Sequence, residues 1–387
     1  MKTLNDANLK GKIVLVRVDF NVTMQQGRVA EDFRMQAILP TIEYLLENEA
    51  SKVVLVSHLG RPNGKVNPEF SLEPVSAHFS ELIGRNVDFV PDAIGSGAKQ
   101  KIQWAKSRII MLENLRFYKG EEENNGIFAQ NLARIGDVFV QEAFGACHRN
   151  HASIVGVTKF MPSYAGLLLE EEINALKKLL SNPERPFTAL IGGAKISTKI
   201  AVLEKFFDIT DNICLGGALA NTALKAKGMA VGLSLVEEEV LNTINRIQFT
   251  SPRIHLPIDV KVAKDFYATN GFAVKAVGNV AVDEIILDIG PDTQDVFANI
   301  IRSSKTILWN GPLGYIENPQ FAEGTKRIAR EIAETSARAF TVVGGGDTYQ
   351  TLRELGLMDK VDFISTGGGA MLDFLTKGTL PGIEALK

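Results

Sequence analysis

The feature that most constrains this fold is a series of unbroken aliphatic segments of strand length. They are KIVLVRVDF (12–20), KVVLVSH (52–58), RIIMLEN (108–114), DVFVQEAF (137–144), FTALIGG (187–193), NICLGG (212–217), KTILWNGP (305–312), AFTVVGGG (339–346) and DFISTGGG (362–369). A strand with one face in water alternates apolar and polar residues, so a continuous Val/Ile/Leu run needs cover on both faces. Stretches of helical period, such as 32–49 and 321–337, lie between most of the runs and can supply that cover. The expectation is an α/β fold with doubly wound parallel sheets. No fixed repeat period or low-complexity tract interrupts the pattern.

That many strands exceed one comfortable sheet, and a boundary shows near the middle. GLLLEEEINALKKLLSNPERP (166–186) reads as a helix followed by a proline-containing connection. Leu168, Leu169, Ile173, Leu176, Leu179 and Leu180 form its apolar stripe. Glu170, Glu171 and Glu172 open it and Lys177 and Lys178 lie near its end, as the helix dipole favours. We therefore expect domains at 1–167 and 185–371, joined by a helix over 168–184.

The two halves differ at the carboxyl ends of their strands, where open α/β sheets bind ligands. In the first half these ends carry charge: Arg17, Asp19 and Asn21; His58 and Arg61; Glu113, Asn114 and Arg116; then His148, Arg149 and His151. In the second they carry glycine: IGGAK (191–195), LGGALAN (215–221), WNGPLG (309–314), VVGGGDT (342–348) and STGGGA (365–370). A single glycine pair after a strand is as often plain turn chemistry, and a single arginine there is often merely solvated. Their recurrence suggests a nucleotide half and a half for a small polyanion, since bare amides and guanidinium forks both suit phosphate.

Bulk composition excludes several classes. Net charge is −3, so the chain as a whole is no nucleic-acid binder. No apolar run approaches the roughly 18 residues of a membrane span, and the start MKTLNDANLKGK lacks the apolar core of a secretory signal. Two distant cysteines, Cys147 and Cys214, suit a reducing, cytoplasmic compartment. GACHRNHAS (145–153) gathers Cys147, His148 and His151, but without a partner pair at zinc spacing it is a weak metal or thiol-nucleophile signal. His78 and His255 read as helix surface or loop.

Taken as a set, these stretches resemble the phosphoglycerate kinase family. The matching segments are RVDFNV (17–22), SHLGRP (57–62), LENLRF (112–117), DVFVQEAFGACHR (137–149), IGGAKISTKI (191–200), GGALANT (216–222), LPID (256–259), DIGP (288–291), WNGPLGYIE (309–317), GGGDT (344–348) and STGGGA (365–370). They run in the family's order along the whole chain. The resemblance implies two doubly wound, Rossmann-like domains around a cleft, with hinge bending about the connecting helix. It implies that the tail 372–387 returns to the first domain, and a cytoplasmic monomer of glycolysis or gluconeogenesis. The implied reaction is reversible, Mg²⁺-dependent transfer of a phosphoryl group from ATP to 3-phosphoglycerate, giving ADP and 1,3-bisphosphoglycerate.

Carried over by position, the acid-substrate site is Asp19, Phe20, Asn21, Arg34, His58, Leu59, Gly60, Arg61, Arg116 and Arg149. The nucleotide site is Gly192, Gly193, Lys195, Lys199, Gly216, Gly217, Asn310, Glu317, Gly344, Gly345, Gly346, Asp347 and Thr348. The resemblance gives Asp347 the nucleotide's metal and Glu317 the ribose hydroxyls. It makes Arg34 and Lys199 the pair that neutralises the migrating group, with Gly345 and Gly368 as the other catalytic positions. Thr23, Gln141, Glu142, Ala146 and Cys147 depart from the usual family pattern without replacing a site residue.

The residues suit that chemistry. A carboxylate nucleophile with a pKa of about 4 is already ionised at neutral pH, so no general base is required. The obstacle is charge repulsion, which cations and amides must offset. A different small-molecule kinase with a glycine-rich half is the nearest alternative, and SHLGRP and LENLRF argue against it. A nicotinamide dehydrogenase needs G-x-G-x-x-G, and that spacing is missing from the sequence. A binding module leaves the opposed charged and glycine ends unexplained.

Overall fold

Every one of the aliphatic runs contains a strand. In the computed structural model, which describes residues 1–244 and 249–387, the chain forms two compact units. Unit 1 is Met1–Asn174 with Thr379–Lys387, and unit 2 is Ala175–Gly378.

Unit 1 carries β1 (Ile13–Arg17), a small hairpin of β2 (Met24–Gln25) and β3 (Arg28–Val29), then β4 (Lys52–Val56), β5 (Val87–Val90), β6 (Ile109–Leu112), β7 (Val138–Gln141) and β8 (Ser163–Ala165). Six of them form a parallel sheet in the order β5-β6-β4-β1-β7-β8. Successive residues point to opposite faces of a strand, and both faces here are buried. Val14, Val16, Val53 and Leu55 join one core, whereas Leu15, Val54, Val56 and Phe139 join the core on the other side. That two-sided burial is why the runs are continuous. Leu15→Ala, at a fully buried position, would remove about 2–5 kcal/mol.

Unit 2 repeats the plan. Its strands are β9 (Phe187–Ile191), β10 (Asn212–Leu215), β11 (Ile254–His255), β12 (Asp259–Ala263), β13 (Ala273–Ala276), β14 (Ile285–Ile289), β15 (Thr306–Asn310), β16 (Phe340–Gly344) and β17 (Phe363–Ser365). The main sheet is parallel, in the order β11-β10-β9-β15-β16-β17. A second, antiparallel sheet of order β13-β12-β14, absent from the sequence reading, stands beside it with its own small core of Val260, Val262 and Ile286.

Two carboxylates give LPID and DIGP a structural role. Asp259 accepts N–H bonds from Asp292 (3.1 Å) and Thr293 (2.7 Å) at the start of the helix Pro291–Ser303. Asp288 accepts from Gly324 (2.8 Å) at the start of the helix Glu323–Thr335. Each strand end thus caps a helix and satisfies amides that have no partner within the helix.

The helical segment 32–49 is two helices, Phe33–Ala37 and Leu39–Glu47. Pro40 accounts for the break, because its ring nitrogen cannot donate back to an earlier carbonyl. The helix expected at mid-chain is Leu167–Leu180. Its start is capped by Glu142, which accepts N–H bonds from Leu168 (3.0 Å) and Leu169 (3.1 Å) and a bond from the Thr41 hydroxyl. The family departure at Glu142 therefore builds a helix cap. Gln141 beside it accepts from Ala143 N–H at 3.1 Å. The boundary between the units runs through this helix, between Asn174 and Ala175. The helix Gly368–Lys377 packs on Ile200–Ile209 within unit 2, and from Thr379 the tail belongs to unit 1.

Candidate functional site

In unit 1 the carboxyl ends of the strands gather the predicted arginines. β1 ends on Arg17, which is almost fully buried, at 1% exposure. Its Nε donates to Ser153 Oγ (2.8 Å), and its Nη2 lies 3.1 Å from His58 Nδ1. Guanidinium can only donate, so His58 Nδ1 accepts and the ring proton is assigned to Nε2. Burial first, then the charges of Arg17, Arg116, Arg149 and Arg34, holds the His58 pKa well below its ordinary value. A neutral imidazole therefore presents one N–H, and four guanidinium groups act on the same point. Such a concentration of positive potential favours an anion.

Glu121 is the counter-ion beneath this cluster. It accepts from Ser153 N (2.9 Å) and Oγ (2.6 Å), with His151 Nδ1 at 3.7 Å. Burial alone would raise its pKa, yet His151, Arg17 and Ser153 together hold it below the usual value. A buried charge pair of this kind is expensive to break from one side. Arg17 stood out as a charged strand end but was not assigned to the substrate site, and neither were Glu121 and Ser153. Arg17 lies within an aliphatic run, and nothing in the sequence joins it to residue 153.

The remaining unit 1 residues fall into two kinds. Arg34 Nη1 donates to the Asn21 carbonyl (2.7 Å), and its Nε lies 3.9 Å from Asp19. Asn21 Oδ1 accepts from Gly60 N–H (2.9 Å), and Arg116 Nη1 donates to the Gly60 carbonyl (2.7 Å). Burial and then Arg149 push the Arg116 pKa down to about 10, which leaves it protonated at neutral pH. Arg61 is exposed and Arg149 half-buried, and no carboxylate pairs with either among the described residues. By contrast, the Phe20 and Leu59 side chains lie in the core, the Phe20 ring 5.1 Å from that of Phe79. Those two can offer a ligand only their backbone.

In unit 2 the strand ends present backbone. Gly192 N–H bonds to Asn310 O and Gly193 N–H to Pro312 O, both at 2.9 Å, so the turns after β9 and β15 run against each other. A Cβ at Gly192 would lie 2.0 Å from Pro312 O, so no side chain fits there. Gly217, at φ +63°, would set a Cβ 2.9 Å from Gly193 N. Helices Gly217–Ala226, Gly346–Glu354 and Gly368–Lys377 all begin at these strand ends, and their first amides have no partner within the helix. Gly345, at φ +108°, and Gly368 approach so closely that a Cβ on Gly368 would lie 3.1 Å from the Gly345 Cα.

Side chains complete this second cluster. Lys199 donates to the Gly192 carbonyl, and burial pushes its pKa down to about 8, partly offset by Asp347. Lys195 is exposed. Asn310 Nδ2 donates to Gly344 O (2.8 Å), and the Thr348 hydroxyl donates to the Gly344 and Gly345 carbonyls (2.8 and 2.7 Å). Both side chains thus shape the glycine loop from within. A cavity of about 150 Å³ opens here, lined by Gly193, Gly217, Glu317 and Asp347 and by an apolar wall that includes Leu235, Val260, Ile286 and Leu313. Two members of that wall, Val260 and Ile286, come from the antiparallel sheet. Sequence reasoning missed it because aliphatic residues lining a pocket read as ordinary core.

GACHRNHAS forms neither of its alternatives. Cys147 is fully buried, and burial drives its thiol far above the ordinary value. Among the described residues no group of three or more His, Cys, Asp or Glu side chains could hold a metal. His78 Nε2 lies 3.0 Å from Asp32, and His255 Nε2 lies 2.9 Å from Asn212 Oδ1.

The model of the family described as phosphoglycerate kinase matches residues 4–378. Among solved structures, the phosphoglycerate kinase of Coxiella burnetii is 38% identical, with a TM-score of 0.84 over 99% of this chain and 98% of that one. The phosphoglycerate kinase of Pyrococcus horikoshii OT3 is 31% identical, with a TM-score of 0.88 over 100% of this chain and 98% of that one.

Proposed function

The chain belongs to the phosphoglycerate kinase family, and from that premise we propose that it moves one phosphoryl group reversibly between ATP and 3-phosphoglycerate. The products are ADP and 1,3-bisphosphoglycerate. The observation that carries this reading is the division of anion chemistry between two sheets. Guanidinium groups crowd the strand ends of unit 1, while bare amides with Lys195 and Lys199 occupy those of unit 2.

In this reading Arg61, Arg116 and Arg149 hold the phosphate of the acid, with His58 Nε2–H and Asn21 orienting it. Its carboxylate attacks the γ-phosphorus directly, in line with the departing ADP oxygen. Arg34 and Lys199 balance charge on the group in transit, and the Gly345 and Gly368 amides steady its oxygens. These groups act by position and by charge fixed in advance. The cavity's aliphatic wall takes the base, and Glu317 takes the ribose.

The residues fit a magnesium ion that arrives with the nucleotide. Mg²⁺ is commonly held by one or two carboxylates together with substrate phosphates, and Asp347 lines the cavity with its carboxylate exposed. Asp347 would hold the ion, which supplies charge neutralisation to the phosphates. Domain closure that keeps water from the acyl phosphate belongs to the same proposal. So does a cytoplasmic, monomeric protein; no described helix is long and apolar enough to cross a membrane.

The test is a coupled assay with purified protein, in which 1,3-bisphosphoglycerate is reduced at the expense of NADH. NADH oxidation that requires ATP, Mg²⁺ and 3-phosphoglycerate together is expected. Its absence at micromolar enzyme overturns the assignment.

A further inference from the structure

The turn that carries both nucleotide lysines is tied down by one carboxylate from elsewhere in unit 2. Ser197 lies between Lys195 and Lys199, at the start of the short helical turn Ser197–Lys199. Its N–H donates to Glu237 Oε2 (2.8 Å) and its hydroxyl to Glu237 Oε1 (2.6 Å). Glu237 is anchored in turn, its N–H donating to Thr222 Oγ1 at 3.2 Å. Thr222 is fully buried in the helix Gly217–Ala226, whose first residue, Gly217, lines the cavity. Glu237 thus links the lysine turn, which directly follows the cavity residues Gly193 and Ala194, to the glycine helix, which also lines the cavity.

We propose that Glu237 is a positioning residue for phosphoryl transfer, holding Lys195 and Lys199 where the nucleotide's phosphates bind. The inference rests on the reading of those lysines as the nucleotide's cations. A carboxylate gripped by two donors on one residue fixes both the height and the rotation of the turn. Burial alone would raise the Glu237 pKa, but the Ser197 hydroxyl, the Ser197 and Ile196 amides and the Lys195 charge hold it below the ordinary value. It is therefore ionised wherever the enzyme works. Glu237 sits in the run VEEE (236–239), where a solvated acidic face is the natural reading of sequence.

The experiment compares Glu237→Gln, Ser197→Ala and the double variant in the full chain, reading KM for MgATP, KM for 3-phosphoglycerate, the thermal midpoint and the pH dependence of ATP binding. Glutamine keeps the size but turns an NH₂ toward one of the two Ser197 donors. The expected result is a rise of about tenfold in KM for MgATP. KM for 3-phosphoglycerate and the midpoint should stay near wild type, and the double variant should be no worse than Glu237→Gln alone. In wild type, ATP affinity should fall as pH rises above about 8, where Lys199 loses its proton. Release of the turn into water should move that fall to higher pH in Glu237→Gln. An unchanged KM for MgATP, or equal damage to both substrates with a lowered midpoint, overturns the inference. Lys199→Met separates the two levels of the argument. If it leaves ATP affinity intact, the reading of the lysines fails; if it abolishes affinity while Glu237→Gln is silent, only the positioning role fails.

Discussion

The two sheets answer the same proposed demand, anion binding at the carboxyl ends of parallel strands, with opposite materials. Unit 1 uses side chains: Arg17, Arg34, Arg116 and Arg149 all bear on His58. Unit 2 uses main chain: Gly192 and Gly217 stand where a Cβ would strike Pro312 O or Gly193 N. The difference follows from the ligands proposed. A small acid phosphate offers little surface and must be gripped by long, directional donors. A nucleotide offers apolar area for burial, so its phosphates can lie directly against a bare backbone, with the aliphatic wall of the cavity taking the rest. Guanidinium recognition is costly to mutate one residue at a time, whereas amide recognition is almost invisible to side-chain substitution.

The sharpest way to break this comparison is at the residue of unit 1 assigned to the migrating group. Arg34→Ala should lower kcat by about 10²–10³-fold, as loss of a group aimed at transition-state charge does, while ATP affinity changes little. Steady-state kinetics with direct ATP titration check it. Near-normal turnover would remove Arg34 from the transfer step. A parallel change on the other side, Asp347→Asn, should be milder. It should raise the Mg²⁺ concentration needed for half-maximal rate by about tenfold, about 1.4 kcal/mol. An unchanged requirement would count against Asp347 as the metal's carboxylate.

Each unit also has one buried cap carboxylate with a raised pKa, which allows a matched pair of pH experiments. Glu142 in unit 1 and Asp288 in unit 2 are both pushed up to about 7, by burial first and against their N–H bonds. In the folded state each holds a proton that the unfolded chain, titrating near 4, has released. Stability should therefore fall as pH rises from about 4 to 7 and then level off. The upper bound is about 4 kcal/mol for each group, from about three pKa units at 1.36 kcal/mol each. Denaturant melts of wild type, Glu142→Gln and Asp288→Asn across that range check it. Each substitution should flatten part of the slope, and an equal slope in all three proteins would refute the raised values.

These carboxylates also mark the edge of what could be read in advance. The central strands were legible because burial on both faces removes polar residues, as in Val53–Val56 and Ile307–Trp309. β5 and β8 were missed because they end their sheet and are short and only partly buried. The antiparallel sheet was missed for a related reason, since β13 is largely exposed and carries Lys275 among its apolar residues. In the site, charged residues at strand ends stood out against aliphatic runs. Glu142 and Asp288 did not, because a carboxylate that caps a distant helix has no local pattern. Their partners lie 26 and 36 residues away in sequence.

The smallest expected effect belongs to Cys147, which lies two residues before Arg149 and so tests whether proximity in sequence means participation. Its backbone carbonyl accepts the N–H of Gly382 at 2.9 Å, and a Cβ on Gly382 would lie 2.9 Å from its sulfur. The thiol is therefore sealed between its own turn and the returning tail, with burial keeping it protonated. A thiol that neither ionises nor meets solvent can act as neither nucleophile nor metal ligand. Cys147→Ser should keep kcat within about twofold, while the buried hydroxyl lowers stability by about 1–3 kcal/mol. Activity measured below the melting range separates the two effects. Complete loss of turnover in a folded variant would bring the thiol back into the chemistry of unit 1 and end the description of that half as an arginine site alone.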